Sequence, residues 1–135
     1  MSFKRRSFIT SAAMLGASVA LGSGTTTVSS DDGEVLHHVF FWLKRPGSAE
    51  DRAKLQEGLA TLRAIKTVKK LVIGLPASTM QRGVVDNSFD VSELMWFANT
   101  KDQDAYQADP IHLAFVEKYS GLWDKVVVHD MVVVG

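Results

Sequence analysis

Cysteine is absent from this 135-residue chain, and only three prolines occur in it. The lack of cysteine excludes disulfide bonds, thiolate metal sites, a cysteine nucleophile and a lipid-modified N-terminal cysteine. The chain also lacks an apolar run of the ~20 residues that a membrane-spanning helix requires. It contains no Gly-rich phosphate loop, no nucleophilic serine elbow and no nucleotide-binding fingerprint. What is present, 46% hydrophobic and 22% charged residues, is typical of one globular domain.

Basic and acidic residues are equal in number, 15 of each, but they are unevenly distributed. Lys4, Arg5 and Arg6 lie at the extreme N-terminus, so that 12 basic residues remain against 15 acidic ones in the rest of the chain. A nucleic-acid-binding surface needs a cluster of basic side chains. We therefore expect no nucleic-acid partner.

The N-terminus has the layout of a bacterial export signal. The basic residues precede Phe8 and Ile9, and a short apolar stretch of small residues follows over 12–22. This order is typical of export signals, and the paired arginines resemble the twin-arginine (Tat) signature. We predict an export signal over 1–24, a flexible linker over 25–34, and a periplasmic or secreted mature protein that does not associate with membranes. The alternatives are a signal retained as a weak membrane tether and a first helix of the domain.

The remainder of the chain predicts four strands alternating with helical segments. Ser48 is placed to N-cap a helix whose apolar residues recur at helical spacing. Thr100 with Gln103 predicts a capping box, and Asp109-Pro110 predicts an N-cap followed by proline in the first helical position. β-branched and aromatic residues mark the strands, which are Val35–Lys44, Val68–Leu75, Val91–Asn99 and Lys125–Val134. The order predicts an α+β fold of the ferredoxin-like βαββαβ type, with an antiparallel sheet and helices on one face.

Both faces of the predicted sheet are apolar. In the first strand, Val39 and Phe41 alternate with Phe40 and Trp42, and the third and last strands show the same property. A sheet with one solvated face would alternate apolar with polar residues. Because two helical segments cover only one face, we predict that a second copy of the chain covers the other and that the protein is a homodimer. The alternative is that the loop over 77–90 folds across this face.

A set of short segments carries a resemblance to a known family. The segments are His37–Lys44, Gly74, Phe89-Asp90, Tyr106–His112 with Phe115, and Val126–Asp130. In this order they resemble the stress-responsive α/β-barrel (Dabb) domain over residues 35–134. The resemblance implies a dimeric α+β barrel. Members of the family include plant polyketide cyclases and bacterial proteins of unsettled role, so the resemblance implies a fold more than a reaction.

The same resemblance implies candidate catalytic residues. In the cyclases, a His and a Tyr of the corresponding helical region act as base and polarising donor, which implies these roles for His112 and Tyr106, with His37 nearby. A neutral imidazole suits the removal of a proton beside a carbonyl, and a Tyr hydroxyl can stabilise the resulting enolate. Two positions depart from the pattern. The usual His-Pro-x-His is Asp109–His112 here, and Leu59 stands where the cyclases have a Tyr.

Two functions therefore stay open. One is an exported stress-responsive-type domain with a pocket for a small apolar or aromatic ligand, in which His37 and His112 are structural hydrogen-bonding residues. The other is a cofactor-independent cyclase, lyase or monooxygenase acting on a small carbonyl or phenolic compound through a His/Tyr pair. We predict no cofactor. A metal site would need His37 or His38 with His112 and with Asp109 or Asp130. Asp130 is instead interpreted as a structural residue at the end of the sheet.

Overall fold

Four strands and three helices build residues 33–135, the part of the chain that the computed structural model describes. In chain order these elements are β1 (Val35–Leu43), α1 (Ala49–Thr61), β2 (Lys70–Gly74), β3 (Val91–Phe97), α2 (Thr100–Ala108), α3 (Pro110–Tyr119) and β4 (Trp123–Val132). Short 3₁₀ turns follow α1 and α3, at Leu62–Ala64 and Ser120–Leu122. The predicted export signal over 1–24 lies outside the described residues. Within 33–135, none of the helices combines the length and apolar character that a membrane crossing needs.

The strands form one antiparallel sheet in the order β2-β3-β1-β4. β1 pairs with both β3 and β4, so the first strand of the chain lies in the interior of the sheet and the last lies at an edge. Together with the βαββαβ chain order, this arrangement confirms the predicted ferredoxin-like α+β fold.

Two of the predicted helix N-caps are confirmed. The Ser48 hydroxyl oxygen accepts a hydrogen bond from the backbone N–H of Asp51 at 3.1 Å. The Asp109 carboxylate accepts one from the N–H of Ile111 at 2.8 Å, and Pro110 occupies the start of α3. Each cap satisfies a backbone donor that has no partner within the helix. These short-range interactions set where α1 and α3 begin.

The N-cap of α2 differs from the prediction by one residue. The cap is Asn99, whose side-chain oxygen accepts a hydrogen bond from the N–H of Asp102 at 2.8 Å. Thr100 is therefore the first residue of the helix, and the predicted capping box between Thr100 and Gln103 is wrong. Asparagine ranks above threonine as an N-cap, which gives the physical reason for the earlier start.

Asp90 fixes the chain where β1 ends. Its carboxylate is buried and accepts hydrogen bonds from the backbone N–H of Leu43 and of Gly47, both at 2.9 Å. Gly47 has a φ of 78°, which a residue without a Cβ adopts at little cost. The loop before β3 and the turn before α1 are thereby held together beside the sheet.

The inner face of the sheet, the face covered by the helices, carries the hydrophobic core. The predicted apolar stripe of the first helical segment is buried there, and α3 contributes two aromatic rings. The buried apolar residues of these helical segments are Leu55, Leu59, Leu62, Ile65, Phe115 and Tyr119. Gly58 lets α1 and α3 approach closely, because a Cβ at this position would lie 2.6 Å from Cδ2 of Tyr119.

The outer face of the sheet is the face that the helices leave uncovered. It is largely apolar, as predicted, and the strand pairing places these side chains on it: Leu36, His38, Phe40, Trp42, Lys70, Val72, Ser92, Leu94, Trp96, Lys125, Val127, His129 and Met131. Val72 and Met131 are 41% and 57% exposed. The described chain therefore presents an apolar surface across all four strands.

The loop between β2 and β3 covers one end of the outer face. The indole N–H of Trp42 donates a hydrogen bond to the Ser88 hydroxyl at 3.1 Å, and the rings of Phe40 and Phe89 are 5.1 Å apart in an edge-to-face contact. Farther back in the loop, Val84 is 82% exposed. The loop therefore shields the Trp42 end and leaves the opposite end of the outer face open.

Candidate acid–base site

His37 is the central residue of a polar cluster on the inner face. It lies in β1, opposite Met95 of β3 on one side and Asp130 of β4 on the other. Its ring is buried, and Nδ1 lies 2.5 Å from Oδ1 of Asp130. When Nδ1 carries the proton it donates to the Asp130 carboxylate, which leaves Nε2 of the neutral ring to accept a proton.

The Asp130 contact revises the interpretation made from the sequence. Asp130 does lie near the end of β4, but its carboxylate accepts the His37 hydrogen bond and its side chain is 50% exposed. Directly opposed residues of an antiparallel pair have Cβ atoms about 4.5–5.5 Å apart, close enough for this contact. His129, the neighbour of Asp130 in the sequence, points to the outer face. Asp130 is thus a member of the cluster as well as a part of the strand.

Tyr106 places a phenol against His37. It projects from α2, is 2% exposed, and its ring centroid lies 5.8 Å from that of His37. A second ring contact, at 5.2 Å, packs Tyr106 against Phe97 of β3. Burial raises the pKa of the phenol, and the charge that Glu93 carries when it is ionised raises it further. Tyr106 therefore stays protonated at neutral pH and is available as a hydrogen-bond donor.

His112 completes the set of residues predicted from the sequence. It lies in the first turn of α3, with its ring centroid 4.5 Å from that of Tyr106. Its Nδ1 is 3.1 Å from the backbone oxygen of Gln107, so the protonated Nδ1 donates there and Nε2 is left as an acceptor. Burial lowers the pKa of His112; the Gln107 bond opposes this shift and the proximity of His37 adds to it. The ring is therefore neutral at pH 7.

The structure thus brings His37, Tyr106 and His112 together and separates them from the other two histidines. His38 and His129 are cross-strand partners on the outer face. Burial lowers the pKa of His38, and the charge of His129 adds to the effect. The divergence of His37 and His38 follows from the alternation of side chains along a strand.

Glu93 belongs to the same inner face and was not among the residues predicted from the sequence. It lies in β3 opposite Val39, is 2% exposed, and its Oε1 has no hydrogen-bond partner. Burial raises its pKa to about 8, so that the carboxyl group is neutral at pH 7. The alternation of β3 contained part of the signal, since Glu93 stands two residues before Met95 and therefore shares its face of the strand.

The helices leave the inner face of β4 partly open beside this cluster. Val126 and Val128 point to the inner face but are 38% and 43% exposed. They stand next to Asp130 along the same edge strand. The cluster therefore borders an accessible apolar strip, which is a suitable contact for the apolar part of a small molecule.

Among residues 33–135, no three side chains of a kind that binds metals are grouped so as to hold an ion. The polar cluster instead contains two imidazoles, a phenol and one carboxylate. These groups can accept and donate protons, as acid–base catalysis requires.

A four-stranded antiparallel sheet in the order β2-β3-β1-β4, with helices on one face, defines a ferredoxin-like α+β domain. The chain belongs to the stress-responsive A/B barrel (Dabb) family, whose model, described as Stress responsive A/B Barrel Domain, matches residues 35–133. No curated protein matches the chain.

Solved structures share this fold. A Dabb family protein with a ferredoxin-like fold from Mesorhizobium loti is 24% identical, with a TM-score of 0.62 over 76% of this chain and 99% of the other. A dimeric ferredoxin-like protein of unknown function from Thermobifida fusca is 15% identical, with a TM-score of 0.61 over 82% of this chain and 100% of the other. A hydroxynitrile lyase from Passiflora edulis is 20% identical, with a TM-score of 0.61 over 76% of this chain and 94% of the other. At these identities the likeness establishes the fold.

Proposed function

We propose that this protein is a cofactor-independent acid–base enzyme of the lyase or cyclase type that acts on a small carbonyl compound. The observation that carries the proposal is the His37–Asp130 pair, which lies in one cluster with Tyr106 and His112. The Tyr106 phenol lies against both imidazole rings, which places two proton acceptors and one hydrogen-bond donor in a single cluster. The hydroxynitrile lyase from Passiflora edulis supports the proposal, since it is an enzyme built on a similar fold.

His37 is the base in this proposal. Nε2 takes a proton from the carbon next to the substrate carbonyl, and the C–H electron pair moves to form a C=C bond while the carbonyl π electrons pass to oxygen. The Asp130 carboxylate stabilises the imidazolium that results, and the Tyr106 hydroxyl donates a hydrogen bond to the enolate oxygen. The enolate carbon then attacks a second carbonyl of the same molecule in a cyclisation. His37 returns its proton to the new alkoxide.

A lyase reaction uses the same groups in another order. Here a base takes the proton of a substrate hydroxyl, and the freed electron pair on oxygen forms the C=O double bond of a carbonyl product. The bond from that carbon to the leaving group breaks, and the leaving group keeps its electron pair and then takes the proton. His112 is suited to the first step because its ring is neutral and Nε2 is unprotonated when Nδ1 donates to Gln107. Both reactions need proton transfer and no electron transfer.

Solvent deuterium exchange tests the proton abstraction with simple ketones in place of the natural substrate. Small ketones such as acetophenone are incubated with the protein in D₂O, and loss of the signal of the hydrogens beside the carbonyl is followed by NMR. We expect exchange above the buffer rate, falling about 10²–10⁴-fold in His37→Asn, the range typical of a general base. Tyr106→Phe should lose about 10²–10³-fold, as expected for an oxyanion donor.

Tyr119→Phe is the matched control, because Tyr119 is buried in the core away from the His37 ring. Circular dichroism establishes that each variant is folded. Wild-type rates equal to buffer for every ketone, or unchanged exchange in His37→Asn, would count against the proposal.

A ligand-binding domain without catalysis is the second candidate. The observation in its favour is the apolar strip of Val126 and Val128, which is exposed next to the cluster. Thermal shift against aromatic and polyketide-like acids separates the two functions when the protein is compared with His112→Ala. Stabilisation by a compound that is equal in both proteins and accompanied by no proton exchange would favour simple binding.

We also propose that two copies associate through their outer faces. The apolar outer face described above extends across four strands, and the loop from β2 to β3 shields only its Trp42 end. The fold relative from Thermobifida fusca is described as dimeric, which supports the proposal. A stable interface buries about 800 Å² on each partner, and a four-stranded sheet face offers an area of this order.

We propose, finally, that the protein acts in the periplasm or outside the cell. The support is the sequence of 1–24, where Arg5 and Arg6 precede a short apolar stretch. Fractionation of bacteria that express the chain should recover it outside the cytoplasm in a shortened form. Replacing both arginines with lysine should retain the full-length form inside, and equal export of the variant would contradict a twin-arginine signal.

A further inference from the structure

One carboxyl group of the inner face has no role in the reaction described above. Glu93 is 2% exposed, and its Oε1 neither reaches solvent nor meets a hydrogen-bond donor. Desolvation strongly disfavours an unpaired carboxylate in such a place. The neutral acid is the form that the fold accommodates, and no neighbouring charge contributes to this preference.

Glu93 acts on the cluster through Tyr106. Glu93 lies on the inner face of β3 together with Phe97, the residue against which Tyr106 packs, and the charge of an ionised Glu93 raises the pKa of the Tyr106 phenol. The phenol is the proposed donor to an enolate oxygen, and that oxygen gains negative charge in the transition state. A carboxylate at Glu93 would repel this charge, and the repulsion is strong in a buried site of low dielectric constant.

The surroundings of Glu93 offer no positive charge to offset its ionisation. Inner-face positions of β2 are the apolar Leu71 and Ile73. On α1, Asp51 pairs with Arg45, and Arg52 lies 3.6 Å from Asp90. The ionisable groups that the other elements place on the inner face are His37 on β1, Tyr106 on α2, His112 and Tyr119 on α3, and Asp130 on β4. No lysine or arginine occupies an inner-face position of the four described strands.

We propose that Glu93 is a positioning residue which must be protonated for the site to work, and that the substrate is an uncharged carbonyl compound rather than an anion. The inference rests on the proposed function. With Asp130 as the carboxylate of the cluster and no cation on the inner face of the sheet, a carboxylate or phosphate ester would meet net repulsion. A neutral ketone or aldehyde meets hydrogen-bond donors and an apolar strip instead.

The pH profile of ketone exchange tests the role of Glu93. In wild type the enzyme-catalysed rate should fall about tenfold between pH 7 and pH 9, as expected for loss of one proton near pH 8. Glu93→Gln mimics the neutral acid, so it should retain the rate at pH 7 within about threefold and lose the alkaline fall. Glu117→Gln, on the exposed surface of α3, should behave as wild type.

Two results would overturn the inference while leaving the proposed function intact. One is an unchanged alkaline fall in Glu93→Gln. The other is loss of exchange at pH 7 in a folded Glu93→Gln protein, because an uncharged residue would then fail to replace the acid. Absence of exchange in wild type would instead contradict the proposed function itself.

The choice of substrate class is tested by binding. Acetophenone and benzoate have similar size and differ in charge, and their affinities are measured by NMR titration at pH 7. We expect acetophenone to bind at least tenfold more tightly in wild type, and its affinity to weaken toward pH 9 in wild type but not in Glu93→Gln. Equal or tighter binding of benzoate would refute the preference for an uncharged compound, whether or not exchange is observed.

Discussion

His37 and Asp130 are 93 positions apart in the chain, yet they face each other across β1 and β4 with Nδ1 2.5 Å from Oδ1. The contact results from the antiparallel register, which sets the two residues directly opposite each other. A carboxylate bound to one ring nitrogen fixes the tautomer and leaves the other nitrogen for a substrate. The pairing of the interior strand β1 with the edge strand β4 thus places the proposed base, His37, beside an accessible surface.

Replacing the carboxylate of this pair should reduce proton exchange. Asp130→Asn keeps the size of the side chain but removes the charge that stabilises the imidazolium, so we expect the ketone exchange rate to fall by at least about tenfold. Since the Asp130 side chain is half exposed, stability should change by less than about 1 kcal/mol. Asp124→Asn, an exposed residue of β4, is the matched control. An exchange rate equal to that of wild type would rule out a role for Asp130.

Glu93 should make stability depend on pH. The folded protein holds the Glu93 proton up to about pH 8, whereas the unfolded chain releases it near the ordinary value of 4.5. Unfolding between these values therefore releases a proton, and stability falls as the pH rises, by up to ~1.4 kcal/mol per pH unit. Urea unfolding at pH 5, 6, 7 and 8 should show this slope in wild type and its loss in Glu93→Gln. Parallel profiles for the two proteins would contradict a buried neutral acid.

A side chain at Gly58 should force α1 away from α3. The added Cβ of Gly58→Ala would lie 2.6 Å from Cδ2 of Tyr119, closer than such atoms approach. We expect a loss of about 1–3 kcal/mol, which exceeds the gain of up to ~1 kcal/mol from replacing a helical glycine. Gly83→Ala meets no neighbour within 4 Å and is the control. Chemical denaturation measures the free energy of unfolding of both variants. A Gly58→Ala protein as stable as wild type would show that Tyr119 can move without cost.

A charge at the centre of the outer face should disrupt the proposed dimer. Leu94 lies in β3 between His38 of β1 and Val72 of β2. In the dimer, a carboxylate at this position would be buried without a positively charged partner. Leu94→Glu should therefore sediment as a monomer where wild type sediments as a dimer. Leu113→Glu, on the exposed side of α3, should stay dimeric. A wild type that is monomeric at micromolar concentration would refute the dimer.

Much of the fold was predictable because it depends on short-range patterns. β-branched and aromatic residues identified β1, β3 and β4, and Ser48 and Asp109 identified two helix starts. The N-cap of α2 was misassigned because Asn99 and Thr100 are adjacent and both can cap a helix. The resemblance also pointed to His37, Tyr106 and His112 as a set, and the structure brings these three rings into one cluster.

The sequence by itself determined the order of the elements, the two apolar faces of the sheet and the divergence of His37 from His38, because each depends on residues close together in the chain. Only the tertiary structure decided that Asp130 meets His37 and that Glu93 is buried with its Oε1 unpaired. The register of paired strands and the burial of a carboxyl group depend on residues that are distant in sequence. For this reason the contact between Asp130 and His37 was not recognisable until the strands were paired.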